Sequence, residues 1–230
     1  KIVTISGNYA YVASADWRNE LVILNIEDPA NPTFVGSYGT DGGGVYEVAI
    51  SGNYAYVAID GNNSGLVILN IEDPTNPTLV GNYRTDNRAQ GVTISGNYAY
   101  VTTAVDGLFI LDIEDPANPT YVDNYPFNDA ADIAISGNYA YLTDSVNGLI
   151  ILNIEDPANP TLEGSYDTRG WAYEVSISGN YAYVADSSGL LILNIEDPTN
   201  PTLEGSYDTD GSAYDLTISG NYAYIGDDSR

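Results

Sequence analysis

Between Val45 and Tyr83 the spacing of apolar and polar positions changes four times, and each change predicts a strand. Val45 to Ile50 alternates, then meets Ser51-Gly52-Asn53, whose Gly-Asn pair suits the positive φ angles of a tight hairpin turn. Tyr54 to Ala58 is a second strand, with Tyr54 and Tyr56 on one face and Ala55 and Val57 on the other. Leu66 to Ile71 is apolar at nearly every position, which in an element of period two means that both faces are covered. After Glu72-Asp73-Pro74-Thr75-Asn76-Pro77 a fourth strand runs from Thr78 to about Tyr83, and its leading proline is tolerable at an outer edge.

The same pattern fills the chain. Ser-Gly-Asn-Tyr-Ala-Tyr begins at Ser6, Ser51, Ser95, Ser136, Ser178 and Ser219, and Ile-Glu-Asp-Pro-(Ala/Thr)-Asn-Pro-Thr follows only the first five copies, at Ile26, Ile71, Ile113, Ile154 and Ile195. Spacings of 41 to 45 residues belong to solenoids, propellers or arrays, and four antiparallel strands in about 42 residues without helical periodicity describe a propeller blade. The expected fold is all-β: one β-propeller domain over residues 1–230, with five full modules and a partial sixth from about residue 214. An open array would leave two apolar end faces in water at a cost on the order of 20 kcal/mol, against a net stability of about 5 to 15 kcal/mol. Ring closure is the expected remedy, with stacking of copies as the other route.

Two arrangements of the ends remain open. Six blades can form with the last holding only two strands, which is the favoured form, and its edge at Tyr222, Ala223, Tyr224 and Ile225 is then unpaired. Alternatively five blades form: Thr217 to Tyr224 repeats Thr4 to Tyr11 residue for residue, so the C-terminal pair can complete a blade with the strands from Leu21 to about Tyr38 and release residues 1 to 12. Either leaves strand edges suited to strand addition or head-to-tail assembly into filaments or surface layers, unless a longer parent chain supplies the missing strands.

Composition removes several functions. Six basic against 32 acidic side chains give a net charge of −26, which repels nucleic acid and anionic membrane and favours cations or basic partners. No apolar run reaches about 18 residues, so no direct membrane insertion is expected. With no Cys and no His the chain lacks thiolate chemistry, Cys zinc sites and the commonest acid/base group. An enzyme would have to work through carboxylates such as Asp41, Asp86, Asp129 and Asp210, and no module departs sharply enough from the others to mark a catalytic residue. The chain is expected to be non-enzymatic.

Strand alternation puts the Ser-Gly-Asn and Asp-Pro-x-Asn-Pro turns on one rim, almost unvarying, and the variable loops on the other. Arg18, Arg84, Arg88 and Arg169 and both tryptophans, Trp17 and Trp171, fall in the variable loops. Guanidinium groups and indoles gathered on one rim suit a carboxylate or a sugar ring, although turn geometry on the other rim would by itself drive odd residues here. Asp60, Asn62 and Ser64 resemble the first half of an acidic calcium loop but lack the downstream bidentate Glu. No cofactor is required by the sequence, and calcium is the ion this loop leaves room for.

The third-strand segments Leu21-Val22-Ile23-Leu24-Asn25, Leu66-Val67-Ile68-Leu69-Asn70, Leu108-Phe109-Ile110-Leu111-Asp112, Leu149-Ile150-Ile151-Leu152-Asn153 and Leu190-Leu191-Ile192-Leu193-Asn194, with the flanking Asp-Pro-x-Asn-Pro-Thr, resemble the LVIVD-repeat family of β-propellers. The resemblance spans essentially the whole chain. It implies a bacterial or archaeal surface or secreted protein without an established shared reaction, hence an extracellular or cell-surface setting and a structural or adhesive role with itself, other surface proteins or glycans as partners. Four of the five segments carry Asn where the family name has Asp, and only Asp112 keeps the acid.

Overall fold

The computed structural model describes residues 3–14, 20–40, 43–61 and 64–228, and every regular element among them is a strand. Blade 1 is β1–β4 (Val3–Ser6, Tyr9–Ala13, Glu20–Asn25, Thr33–Gly39) and blade 2 is β5–β8 (Val45–Ser51, Tyr54–Ile59, Gly65–Asn70, Thr78–Arg84). Blade 3 is β9–β12 (Ala89–Ser95, Tyr98–Thr103, Gly107–Asp112, Thr120–Tyr125) and blade 4 is β13–β16 (Ala130–Ser136, Tyr139–Asp144, Gly148–Asn153, Thr161–Tyr166). Blade 5 is β17–β20 (Ala172–Ser178, Tyr181–Asp186, Gly189–Asn194, Thr202–Tyr207), and blade 6 holds only β21 (Ala213–Ser219) and β22 (Tyr222–Asp227). These are antiparallel sheets of propeller-blade type, six in number with an incomplete last one, as the favoured reading of the sequence has it. Blade 1 is complete from its own strands, with β2 paired to β3 from Tyr9↔Asn25 to Ala13↔Leu21, so the five-bladed alternative is not adopted.

Local chemistry explains the strand ends. In each Ser-Gly-Asn turn only the glycine has positive φ, 57° to 59° from Gly7 to Gly220, so the asparagine does not share the left-handed conformation expected of the pair. A positive φ at the first turn position alone is the II′ pattern, whose twist matches that of the flanking strands. Irregularities recur at two places. One extra residue sits near the start of the first strand, as between Val45 and Glu47, Ala172 and Glu174, and Ala213 and Asp215. Another sits in the fourth strand next to its glycine, where Ile68 faces Gly81 but Leu69 faces Leu79. Such bulges re-aim side chains and bend the strand, and both serve the joints between blades.

The chain divides into two compact units, residues 1–105 with 109–122 and residues 106–108 with 123–230. In the first unit Tyr11, Ala13, Leu21 and Ile23 of blade 1 pack on Val45, Val48, Val57, Val67 and Leu69 of blade 2, and Tyr56, Leu66 and Ile68 of blade 2 pack in turn on Val92, Val101 and Leu111. In the second unit Tyr141, Leu149 and Ile151 of blade 4 meet Val175, Val184, Leu193 and Ile195 of blade 5. In blades 2 and 4 the near-continuous apolar third strand thus has both faces covered, as its sequence requires. Burial raises the phenol pKa of Tyr11, Tyr56 and Tyr141 and pushes Tyr100 up to about 12.

Candidate functional site

Within each unit, neighbouring blades are joined by two devices that the bulges create. The first is a carboxylate in the first strand. Glu47 Oε2 accepts the Val92 N–H at 2.8 Å, Asp132 Oδ2 accepts the Val175 N–H at 2.9 Å, and Glu174 Oε2 accepts the Leu216 N–H at 3.0 Å. All three acids are buried, and where the carboxyl is ionised such a charge-assisted bond is about twice as strong as a neutral one. In the second unit Asp132, Glu174 and Asp215 form a row. Burial above all, then a hydrogen bond with Asp215 and the Asp132 charge, push the Glu174 carboxyl up to about 9, so at neutral pH it is protonated.

The second device is a glycine in the fourth strand. A Cβ at Gly36, Gly81 or Gly164 would lie 2.4, 2.2 and 2.2 Å from the carbonyl oxygens of Pro74, Pro116 and Pro198, each in the Asp-Pro-x-Asn-Pro turn of the following blade. That turn is itself held firmly. In blade 3, for example, Asp115 accepts the Ala117 N–H at 3.0 Å and the Asn118 amide at 2.7 Å, and these bonds, the Asn118 one foremost, hold its carboxyl below the ordinary value. Gly205 occupies the same position in blade 5, and a Cβ there would meet nothing within 4 Å.

That empty slot belongs to a larger opening. Tyr183 and Ile192 of blade 5 are only half-buried, whereas their equivalents Tyr11, Tyr56, Tyr141, Ile23, Ile68 and Ile151 are at most 4% exposed. A cleft of about 710 Å³ lies beside them, lined by Tyr181, Tyr183, Leu190, Ile192, Ile218 and Tyr222 among others. Its far wall is the edge of β22, which pairs with no third strand among the described residues and is the edge singled out from the sequence. Tyr222 (70%), Tyr224 (57%) and Ala223 are exposed there, while Ile225 packs on Ala213, Leu216 and Leu190. In every other blade the second strand is paired on this side with a third.

The rim candidates separate. Trp17, Arg18 and Asn62 lie outside the described residues. Arg84 closes β8, and the Arg88 guanidinium stacks 5.1 Å over the Tyr46 ring, both in the first unit. Arg169 and Trp171 stand together in the second unit, in a cleft of about 700 Å³ with Ser145, Asp167, Tyr173 and Tyr214. Their loop is built: Asp167 accepts the Arg169 N–H at 2.8 Å, which supports a left-handed φ of 64°, and Ser187 Oγ accepts the Trp171 N–H at 3.1 Å. Asp208 to Ser212 repeats this backbone, with Asp210 at φ 58° and Asp208 accepting its N–H, so Arg169 and Trp171 are different chemistry on the same frame as Asp210 and Ser212. Trp171 is 62% exposed beside the tilted Tyr173–Tyr214 pair, whose rings lie 4.6 Å apart.

Of the calcium candidates, Asp60 accepts the Gly61 N–H at 2.5 Å, and Ser64 Oγ donates to the Gly61 carbonyl at 2.7 Å, so the loop closes on itself. Among the described residues no group of three His, Cys, Asp or Glu side chains is arranged to hold a metal ion. Asp129 is engaged by the Ser145 hydroxyl, and Asp41 lies outside the described residues.

Residues 1–40, 42–85, 87–126, 128–168, 169–209 and 210–229 each match the family model described as LVIVD repeat. This chain belongs to the LVIVD repeat family. No curated protein matches this LVIVD repeat chain by sequence. Among solved structures it resembles a functionally unknown protein from Desulfotomaculum acetoxidans DSM 771, with a TM-score of 0.80 at 19% identity over 97% of this chain and 74% of that one. A Bacteroides fragilis NCTC 9343 protein assigned provisionally as a 6-phosphogluconolactonase gives 0.72 at 16% identity over 90% and 70%. The β-propeller domain of Myceliophteria thermophila Cps50 (Swd1) gives 0.71 at 12% identity over 91% and 72%. At these identities the likeness establishes the β-propeller fold alone. In the LVIVD strands the final residue has a definite task. The side-chain Oδ1 of Asn25, Asn70, Asp112, Asn153 and Asn194 accepts the N–H two residues on, at 2.8 to 3.0 Å, and so starts the following turn. An amide oxygen and a carboxylate oxygen perform it alike.

Two sets of residues escaped the sequence reading. The joining acids Glu47, Asp132, Glu174 and Asp215 each stand four residues before the Ser of a Ser-Gly-Asn turn, a recurrence that would have marked them. The slot glycines recur in the fourth strand but look like ordinary variation until the neighbouring turn is seen.

Proposed function

We propose that this LVIVD repeat chain is a non-enzymatic structural module, placed outside the cell or on its surface, that self-associates through its two-stranded last blade. The observation that carries this reading is the pairing of an unpaired β22 edge with the 710 Å³ cleft and half-buried Tyr183 and Ile192 beside it. A free edge flanked by apolar surface is the usual ground for strand addition. The chemistry on offer supports a non-catalytic role: there is no His or Cys, and the buried first-strand acids are committed to joining blades. With a net charge of −26, copies repel at low salt, so association should strengthen as salt screens them. Light scattering across protein and salt concentration, with and without residues 214 to 230, tests this; full-length chains should grow in mass and truncated ones should not. Identical monomers in both would overturn it.

A second reading is supported by Arg169 and Trp171, which share a cleft with Tyr173, Tyr214 and three serines. An exposed indole with hydroxyls around it suits stacking of a sugar ring. A glycan screen in which Trp171→Ala binds every hit unchanged would end this reading.

A further inference from the structure

The occupant that fits the open half of blade 6 is a hairpin of the same kind as β3–β4, and blade 1 holds the one that is least firmly kept. We propose that copies join by strand exchange: β21–β22 of one copy replaces β1–β2 of a second, pairs with its β3, and draws its β3–β4 hairpin into the cleft. This exchange rests on the self-associating reading and adds to it the partner segment and the register.

The two hairpins are interchangeable toward β3. Thr217 to Tyr224 is identical to Thr4 to Tyr11, so Tyr222 takes the place of Tyr9 opposite Asn25, Ala223 faces Leu24 and Tyr224 faces Ile23. They are not equally anchored. Val3 and Ile5 of β1 are 48% and 65% exposed. Val48, Val92, Ile133, Val175 and Leu216, the counterparts of Val3, are at most 5% exposed. β21 is fixed in its own unit by the buried Ala213 and Leu216 and by the Glu174 carboxyl on the Leu216 N–H. The hairpin that would be displaced is held to blade 2 by the Thr4 hydroxyl on the Val48 carbonyl at 2.7 Å but leaves Val3 and Ile5 exposed, and the one that replaces it is already in place.

The cleft and the incoming β3–β4 are complementary in what they leave uncovered. Val22, Leu24 and Ile26 are half-buried in blade 1, while their counterparts Val67, Leu69 and Ile71 in blade 2 are buried, 7%, 0% and 6% exposed, against Tyr11 and Ile23. Tyr183, Leu190 and Ile192 are the surface that Leu24 would meet after exchange, as Leu193 meets Tyr141, Leu149 and Ile151. Gly205 supplies the rest. Its three glycine counterparts, Gly36, Gly81 and Gly164, each receive a proline carbonyl, and after exchange the Pro29 carbonyl of the second copy's Asp28–Asn31 turn fills the slot that is empty at Gly205. Simple stacking of end faces would leave Gly205 untouched, so this glycine separates the two modes of contact.

The chain has no cysteine, so introduced thiols report alone. Tyr9 and Asn25 are a non-hydrogen-bonded pair, because the Ile26 N–H bonds the Asn8 carbonyl just outside it, and Cα atoms of such pairs lie about 4.5 Å apart, within disulfide range. Tyr9→Cys with Asn25→Cys in one chain serves as the geometric control and should cross-link internally. Mixing Tyr222→Cys chains with Asn25→Cys chains under mild oxidation should give a covalent heterodimer. Adding Gly205→Val to the Tyr222→Cys chain should cut its yield on the order of tenfold without lowering the melting temperature of the dilute monomer. Oligomers by scattering without the heterodimer, or a heterodimer indifferent to Gly205→Val, would overturn the exchange and leave self-association standing. A disulfide confined within single Tyr222→Cys/Asn25→Cys chains would also overturn it, and monomers throughout would overturn both.

Discussion

Alanine at Gly81 and alanine at Gly205 should change stability in opposite directions, although both replace the same residue at the same place in the module. At Gly81 the new Cβ would sit 2.2 Å from the Pro116 carbonyl oxygen and 3.0 Å from that of Ala117, where ordinary contact begins at 3.4 Å. The obstacle is backbone, held by Asp115 through the Ala117 N–H and the Asn118 amide, so it cannot swing aside as a flexible side chain would. Blade 2 and blade 3 must separate locally by about 1 Å, and overpacking of this kind costs about 1 to 3 kcal/mol. For a chain of this length each kcal/mol moves the melting temperature by about 2 to 4 °C, so a fall of roughly 2 to 12 °C is expected. At Gly205 there is nothing within 4 Å and φ is not left-handed, so alanine only removes unfolded-state freedom. That gain is about 0.5 to 1 kcal/mol, a rise of roughly 1 to 4 °C. Scanning calorimetry on dilute monomer measures both. Shifts of the same sign and size would show that the glycines answer to the fourth-strand bulge and not to the neighbouring turn.

The Glu174 carboxyl keeps its proton up to about pH 9 when folded and would lose it near 4.5 when unfolded. Between those values the native state holds more protons, so stability should fall as pH rises from about 5 to 9. Glu174→Gln should flatten that slope in urea titrations at several pH values, and an unchanged slope would remove Glu174 as its source. Ile151→Ala should cost about 2 to 5 kcal/mol because the side chain is fully buried between blades 4 and 5. Ile192→Ala, at the equivalent but half-open position, should cost clearly less in the monomer, and equal losses by denaturant midpoint would mean that the cleft is closed in solution.

Blade boundaries were readable because apolar period, turn residues and repeat length agree with one another in every module: Val45–Ser51, Tyr54–Ile59, Gly65–Asn70 and Thr78–Arg84 fall within a residue or so of their predicted spans. The two-stranded end followed from counting the two repeated phrases. The joints between blades were not readable, since a polar residue such as Glu47 in an alternating strand looks solvent-facing until a bulge turns it toward an amide 45 residues away. The rim candidates were only partly assembled, because loops differing in sequence place Arg169 and Trp171 in one cleft while Arg84 and Arg88 belong to the other unit.

The oxygen that starts each turn after the third strand is carried by Asn at four positions and by Asp at one, with the same geometry. Folding therefore places no demand on charge there. Each of those four asparagines can gain a negative charge by a single substitution without loss of its hydrogen bond, and Asp112 can give one up. The modules thus carry a set of positions at which net charge drifts freely under selection from the surrounding salt or neighbouring surfaces, while the architecture stays fixed.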